Sequence, residues 1–101
     1  MSIIERNIEG IKRICSQHAV SQLSVFGSVL TEKFNDNSDI DFLVTFKAMP
    51  VEDYADNYLQ MSTALSELLG REVDLVEDNA IRNPIFRNVV NRTKVQIYGR
   101  V

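Results

Sequence analysis

Asp39-Ile40-Asp41-Phe42-Leu43-Val44-Thr45-Phe46 is the stretch on which the fold turns. Its β-branched and aromatic residues predict a strand over 39–46. Side chains two apart on a strand share a face, so Asp39 and Asp41 project together while Ile40, Phe42 and Val44 point the other way into a core. Two carboxylates held side by side repel, and in a low-dielectric setting each raises the pKa of the other. A divalent cation removes that conflict, and Mg²⁺ is commonly held by one or two carboxylates plus substrate phosphates. Alone, an Asp-x-Asp in an acidic chain is more often a solvated turn or strand edge.

Upstream, Gln22-Leu23-Ser24-Val25-Phe26 alternates and predicts a short strand, which Gly27-Ser28 interrupts. A short helix over Ser28–Lys33 and the polar loop Asn35-Asp36-Asn37-Ser38 then lead into the acidic strand. Glycine lets a backbone approach phosphate closely, and helix-start N–H groups with a serine hydroxyl donate to anionic oxygens. Taken alone, such a pair is more commonly an ordinary turn with a serine N-cap, and the Gly-Lys-Ser/Thr ending of a Walker loop is absent.

Downstream, Pro50 opens a long helix with Val51, Tyr54, Tyr58, Met61, Leu65 and Leu68 on one face, and Gly70 is placed to end it. On that stripe Tyr54 and Tyr58 read as core or rim. Residues 72–77 predict a third strand carrying Asp74 between Val73 and Leu75. Beside the 39–46 strand, Asp74 would complete a cluster with Asp39 and Asp41; otherwise it sits on a solvated face with Glu72. Toward the ends, Ile3, Ile4, Ile8, Ile11, Ile14 and Cys15 mark an amphipathic helix over 3–18 that Ser2 could cap, with His18 at its surface end. Asn83-Pro84 reads as an N-cap with proline at the first helical position, opening a helix that would bury Ile85, Phe86, Val89 and Val90. Lys94–Tyr98 predicts a last strand.

The order α-β-α-β-α-β-α-β implies an α/β (α+β) fold, a sheet with helices packed against it, whose strand directions the sequence leaves open. Residues 1–101 are expected to form a single domain. No apolar run nears the ~20 residues that span a bilayer and no signal-peptide pattern opens the chain, so a cytoplasmic location is expected. Cys15 is the only cysteine, which excludes an intrachain disulfide or a cysteine metal site. Residues 1–78 hold all 14 acids, whereas Arg82, Arg87, Arg92, Lys94 and Arg100 follow with no acid among them. That basic stretch is either a solvated surface or a patch facing a triphosphate or a partner.

A phosphate cradle, two acids on one strand and a third on another suit in-line attack on an α-phosphate. The pattern Gly27-Ser28, ten intervening residues, then Asp39-Ile40-Asp41 resembles the signature of the DNA polymerase β-type nucleotidyltransferase superfamily. Val73-Asp74-Leu75-Val76 resembles that superfamily's third-acid strand. The short chain, Asn83-Pro84 and Ile97-Tyr98-Gly99 resemble its minimal nucleotidyltransferase (MNT) family.

The resemblance implies a mixed four-stranded sheet and a metal-dependent transfer of a nucleoside monophosphate from an NTP, ATP above all, onto a hydroxyl. It implies two Mg²⁺ ions (or Mn²⁺) on Asp39 and Asp41, with Asp74 joining the one that activates the acceptor, and Gly27 and Ser28 on the β- and γ-phosphates. It further implies an antitoxin role beside a HEPN-type ribonuclease toxin, adenylylated on a tyrosine, without membrane or direct nucleic-acid partners. Many members carry an arginine just after the serine, where this chain has Val29, Leu30 and Thr31; that triphosphate contact is then either absent or supplied by Lys33 or the basic stretch. The alternatives are a non-catalytic antitoxin that acts by binding, and a catalytic subunit that modifies a small molecule such as an aminoglycoside.

Overall fold

The computed structural model describes residues 2–99. Its helices are α1 (Ser2–Arg6), α2 (Ile8–Gln17), α3 (Val51–Leu69) and α4 (Pro84–Thr93). Its strands are β1 (Val20–Phe26), β2 (Ile40–Phe46), β3 (Val73–Glu77) and β4 (Val95–Gly99). They form one four-stranded sheet in the order β3-β2-β1-β4. β1 runs antiparallel to both β2 and β4, while β2 and β3 are parallel. A parallel neighbour requires a crossover, and α3 supplies it. The mixed sheet implied by the resemblance is therefore present, and the parallel pair is the one that carries the acids.

The alternation of β2 decides which side of the sheet does what. Ile40, Phe42 and Val44 are fully buried in the main core with Ile11 and Cys15 of α2 and Met61 and Leu65 of α3. Burying side chains of this size stabilises a fold by about 1.5–3 kcal/mol each. On the opposite face Leu43 joins Phe26 and Val90 in a small second cluster beneath α4. Asp41 and Asp74 share that second face, which α4 covers only in part.

Four local expectations are corrected. The N-terminal helix is two helices rather than one over 3–18, because the Asn7 side chain donates to the Ile3 carbonyl at 2.8 Å and competes with the helical ladder. Ser2 is the first helical residue of α1 rather than a cap outside it. The expected helix over Ser28–Lys33 is a single 3-10 turn, Gly27–Leu30, because Thr31 closes it with both its backbone N–H and its hydroxyl on the Ser28 carbonyl at 2.9 Å. In α3 the buried residues are Met61, Leu65 and Leu69, whereas Val51 and Leu68 are exposed. Gly70 ends that helix at φ 67°, the left-handed C-terminal geometry expected of it. No described helix is long and apolar enough to cross a membrane.

Candidate active site

β2 and β3 set the centre of the site. Their parallel register pairs Asp41 directly with Asp74. Neighbouring strands lie about 4.8 Å apart, and paired positions share a face, so the two carboxylates stand side by side above the sheet. On its other flank Asp41 pairs with Phe26, the last residue of β1 before the Gly27 turn. That placement brings the turn under the Asp41 carboxylate. A Cβ built on Gly27 would lie 2.2 Å from Asp41 Oδ2, and Gly27 has φ +78°, a conformation that L side chains rarely adopt. The positive φ favours glycine there, and any Cβ would have to displace the Asp41 carboxylate.

Electrostatics tie the third acid to the pair. The Asp41 carboxyl is pushed above its ordinary pKa, chiefly by burial, then by the charges of Asp74 and Asp39. Asp39 lies just before β2 and, like Asp74, is exposed. Among the described residues no three acids, histidines or cysteines are gathered tightly enough to ring a metal by themselves. The donors nonetheless fit a hard divalent cation. They are all carboxylate oxygens, their mutual repulsion is the kind a cation relieves, and Mg²⁺ characteristically completes its shell with water and substrate phosphates.

Arg71, which no motif pointed to, and Tyr58, read from its helical stripe only as core or rim, hold the acidic strands in place. Arg71, in the turn before β3, donates through Nη1 to the carbonyls of Asn35 and Ser38, both at 3.0 Å. Its guanidinium also lies 4.5 Å from the centre of the Phe34 ring. One side chain thus pins the loop entering Asp39 to the turn entering Asp74. Tyr58 of α3 donates its hydroxyl to the carbonyl of Leu75, the residue after Asp74 on this edge strand. Tyr54 stacks on Tyr58 at 6.2 Å and meets Phe46 edge-on at 5.8 Å, so both tyrosines brace the sheet from the core side.

A cleft of about 610 Å³ opens between the Gly27 turn and α4, lined by Phe26, Gly27, Leu30, Thr31, Asp41, Phe86, Val89, Val90 and Thr93. The expectation that α4 buries its apolar residues holds only for Val90. Ile85 is 74% exposed, and Phe86 and Val89 are each 41% exposed. The helix stands off the sheet far enough to leave the cleft. Its start is as expected, with the Asn83 side chain accepting from the N–H groups of Ile85 and Phe86.

The basic stretch is not uniformly available. Arg87 is committed to Asp78, pairing with its carboxylate at 2.8 Å and donating to its backbone carbonyl. Arg82, Arg92 and Lys94 are exposed, as is Lys33 after the turn, and Arg100 lies outside the described residues.

The nucleotidyltransferase domain family matches residues 8–98 of the chain. A Methanocaldococcus jannaschii protein carried as a candidate protein adenylyltransferase is 33% identical over 86 residues, covering 85% of each sequence. Among solved structures, a candidate minimal nucleotidyltransferase superposes with a TM-score of 0.75 at 28% identity, over 91% of this chain and 90% of that one. A chain from the complex of a tri-AMPylated Shewanella oneidensis HEPN toxin with an MNT antitoxin superposes with a TM-score of 0.66, over 95% of this chain and 72% of that one. At 18% identity that last likeness is one of fold. With the family spanning nearly all of the described residues and the minimal fold reproduced over nine-tenths of its length, this chain belongs to the nucleotidyltransferase family and is a nucleotidyltransferase of the minimal kind.

Proposed function

We propose that this chain transfers an adenylyl group from ATP to a hydroxyl on a partner protein, a tyrosine of a HEPN-type toxin, and thereby acts as an antitoxin. The observation that carries the reading is the pairing of Asp41 with Asp74 while the Asp41 carboxylate sits against Gly27. It joins a charge-repelling acidic centre to the one backbone position near it that lacks a side chain. The relative named as a candidate protein adenylyltransferase, and the solved complex in which an MNT antitoxin accompanies an AMPylated HEPN toxin, support the choice of group and acceptor.

In this reading Asp39, Asp41 and Asp74 hold the divalent ions, and Gly27 with the Ser28 hydroxyl receives the β- and γ-phosphates. When bound, the cations supply positive charge at the α-phosphate and at both the attacking and leaving oxygens. The acceptor oxygen forms a bond to the α-phosphorus as the bond to the β-phosphate oxygen breaks, and pyrophosphate departs. Asp74, exposed at the outer edge of the sheet, takes the acceptor proton or passes it to solvent. Such attack needs the reacting atoms within about 3–3.5 Å and in line. The exposed carboxylates leave that positioning to the protein that brings the hydroxyl.

The test is incubation of the chain with α-labelled ATP, Mg²⁺ and a HEPN-type protein encoded beside it. Label should appear on a tyrosine of that protein and vanish with Asp41→Asn. Near wild-type transfer by Asp41→Asn would overturn the mechanism. Neutralisation of the toxin without any label transfer would favour a binding-only antitoxin. Rapid modification of a free aminoglycoside by the chain alone would favour the small-molecule reading.

A further inference from the structure

The cleft between the Gly27 turn and α4 shares both Gly27 and Asp41 with the acidic centre, yet most of its wall is apolar. Phosphates and cations gain nothing from that wall. We propose that it is the nucleobase subsite, and that it holds the base by stacking on Phe86 with little discrimination between one base and another. This rests on the nucleotide-transfer reading of the Asp41 centre.

Phe86 meets Phe26 edge to face, with ring centroids 6.0 Å apart and planes at 68°. Phe26 is 8% exposed and Phe86 41%, so one ring is anchored in the second cluster while the other keeps open surface. Phe86, held edge to face by the anchored Phe26 and with 41% of its surface open, is a ring on which a flat aromatic ligand can stack. The volume of about 610 Å³ falls within the range of small-ligand sites. Leu30 and Val89 supply apolar contacts on the two sides of the cleft.

The polar lining explains the weak discrimination. Thr31 and Thr93 bring hydroxyls to the cleft, but each already donates to a backbone carbonyl, Ser28 at 2.9 Å and Val89 at 2.7 Å. Their protons are committed, so each hydroxyl can only accept, and apart from Asp41, which faces the phosphates in this reading, the lining has no side-chain amide, guanidinium or carboxylate with which to read a base edge. Sites that hydrogen-bond a distinguishing group reject its absence by about 10⁴-fold or more, whereas apolar pockets separate similar shapes only weakly. Stacking is tolerant because every base has a π-face.

Calorimetry on the whole chain with Mg²⁺ and ATP, GTP or inorganic tripolyphosphate tests this. Wild type should bind ATP and GTP within about tenfold of each other. Phe86→Ala should weaken both nucleotides by about tenfold or more and leave tripolyphosphate unchanged. Phe86→Leu, which keeps apolar bulk without the ring face, should behave like Phe86→Ala, and Phe86→Tyr should restore binding. Since Phe86 is well exposed, melting curves should show all three variants folded. Unchanged ATP affinity in Phe86→Ala, with only partner binding lost, would overturn the proposal, as would a preference for ATP over GTP beyond a hundredfold. If ATP binding survived Phe86→Ala but not Gly27→Val, the subsite alone would fall and nucleotide transfer would stand. If wild type bound neither ATP nor tripolyphosphate, both would fall.

Discussion

Asp41 and Asp74, 33 positions apart in sequence, are register partners across the only parallel strand pair among the described residues. Their charges oppose each other, and burial makes the opposition costlier for Asp41. In the absence of metal the folded chain therefore holds the Asp41 proton more tightly than the unfolded chain does. A group whose folded pKa is raised contributes stability at acid pH that is lost as pH rises through the raised value. Asp41→Asn mimics the neutral acid at every pH. Without metal, its melting temperature should exceed that of wild type at neutral pH, and the gap should close as pH falls into the carboxylate range near 4. Mg²⁺ should raise the wild-type melting temperature more than the variant's, while transfer in the variant drops by about 10²–10³-fold or more. A variant less stable than wild type at neutral pH would contradict the repulsion.

Gly27→Val carries two penalties that separate in measurement. A side chain at φ +78° costs about 1–2 kcal/mol of stability, read by thermal or urea unfolding. The new Cβ also displaces the Asp41 carboxylate, which should weaken Mg²⁺-ATP binding in calorimetry. Reduced stability with unchanged ATP affinity would make the Gly-Ser turn purely structural.

Arg71→Met keeps an apolar stem over Phe34 and loses both bonds to the loop entering Asp39. A loss of about 1–3 kcal/mol is expected in denaturant unfolding. Mg²⁺ affinity should fall with it, because the Asp39 loop is no longer tied to the turn before β3. Arg71→Lys should recover little, since one ammonium does not reproduce the planar stack.

Tyr58→Phe removes a single hydroxyl while leaving the ring stack with Tyr54 in place. The Leu75 carbonyl loses its donor on the outer edge of the sheet, for an expected cost of about 1 kcal/mol. Hydrogen exchange should quicken along β3 before it does in β1. Uniform acceleration through the sheet would mean that Tyr58 braces the whole core rather than the strand of Asp74.

Local pattern alone determined much of this protein. The alternation of Ile40, Phe42 and Val44 with Asp41 and Leu43 put the acid and the core residues on opposite faces, because strand alternation is a property of the backbone itself, although Asp39, expected to open that strand, lies just before it. Gly70 and Asn83-Pro84 marked a helix end and a helix start for equally local reasons of backbone conformation and capping. Even the fold class followed, from the alternation of helical and extended periods along the chain. What the local pattern could not reach was pairing: that β3 lies beside β2, parallel and in register, is a choice made by long-range packing of α3 against the sheet. The same holds for α4, whose apolar residues read as buried from their spacing. A periodic stripe states that one face is apolar, and only the placement of the helix decides whether protein covers it. Arg87 shows the limit most plainly, since a charge in a basic run reads as surface until Asp78 is found beside it. Asp74 became part of a site, and Phe86 part of a cleft, only when strands and helices distant in sequence met.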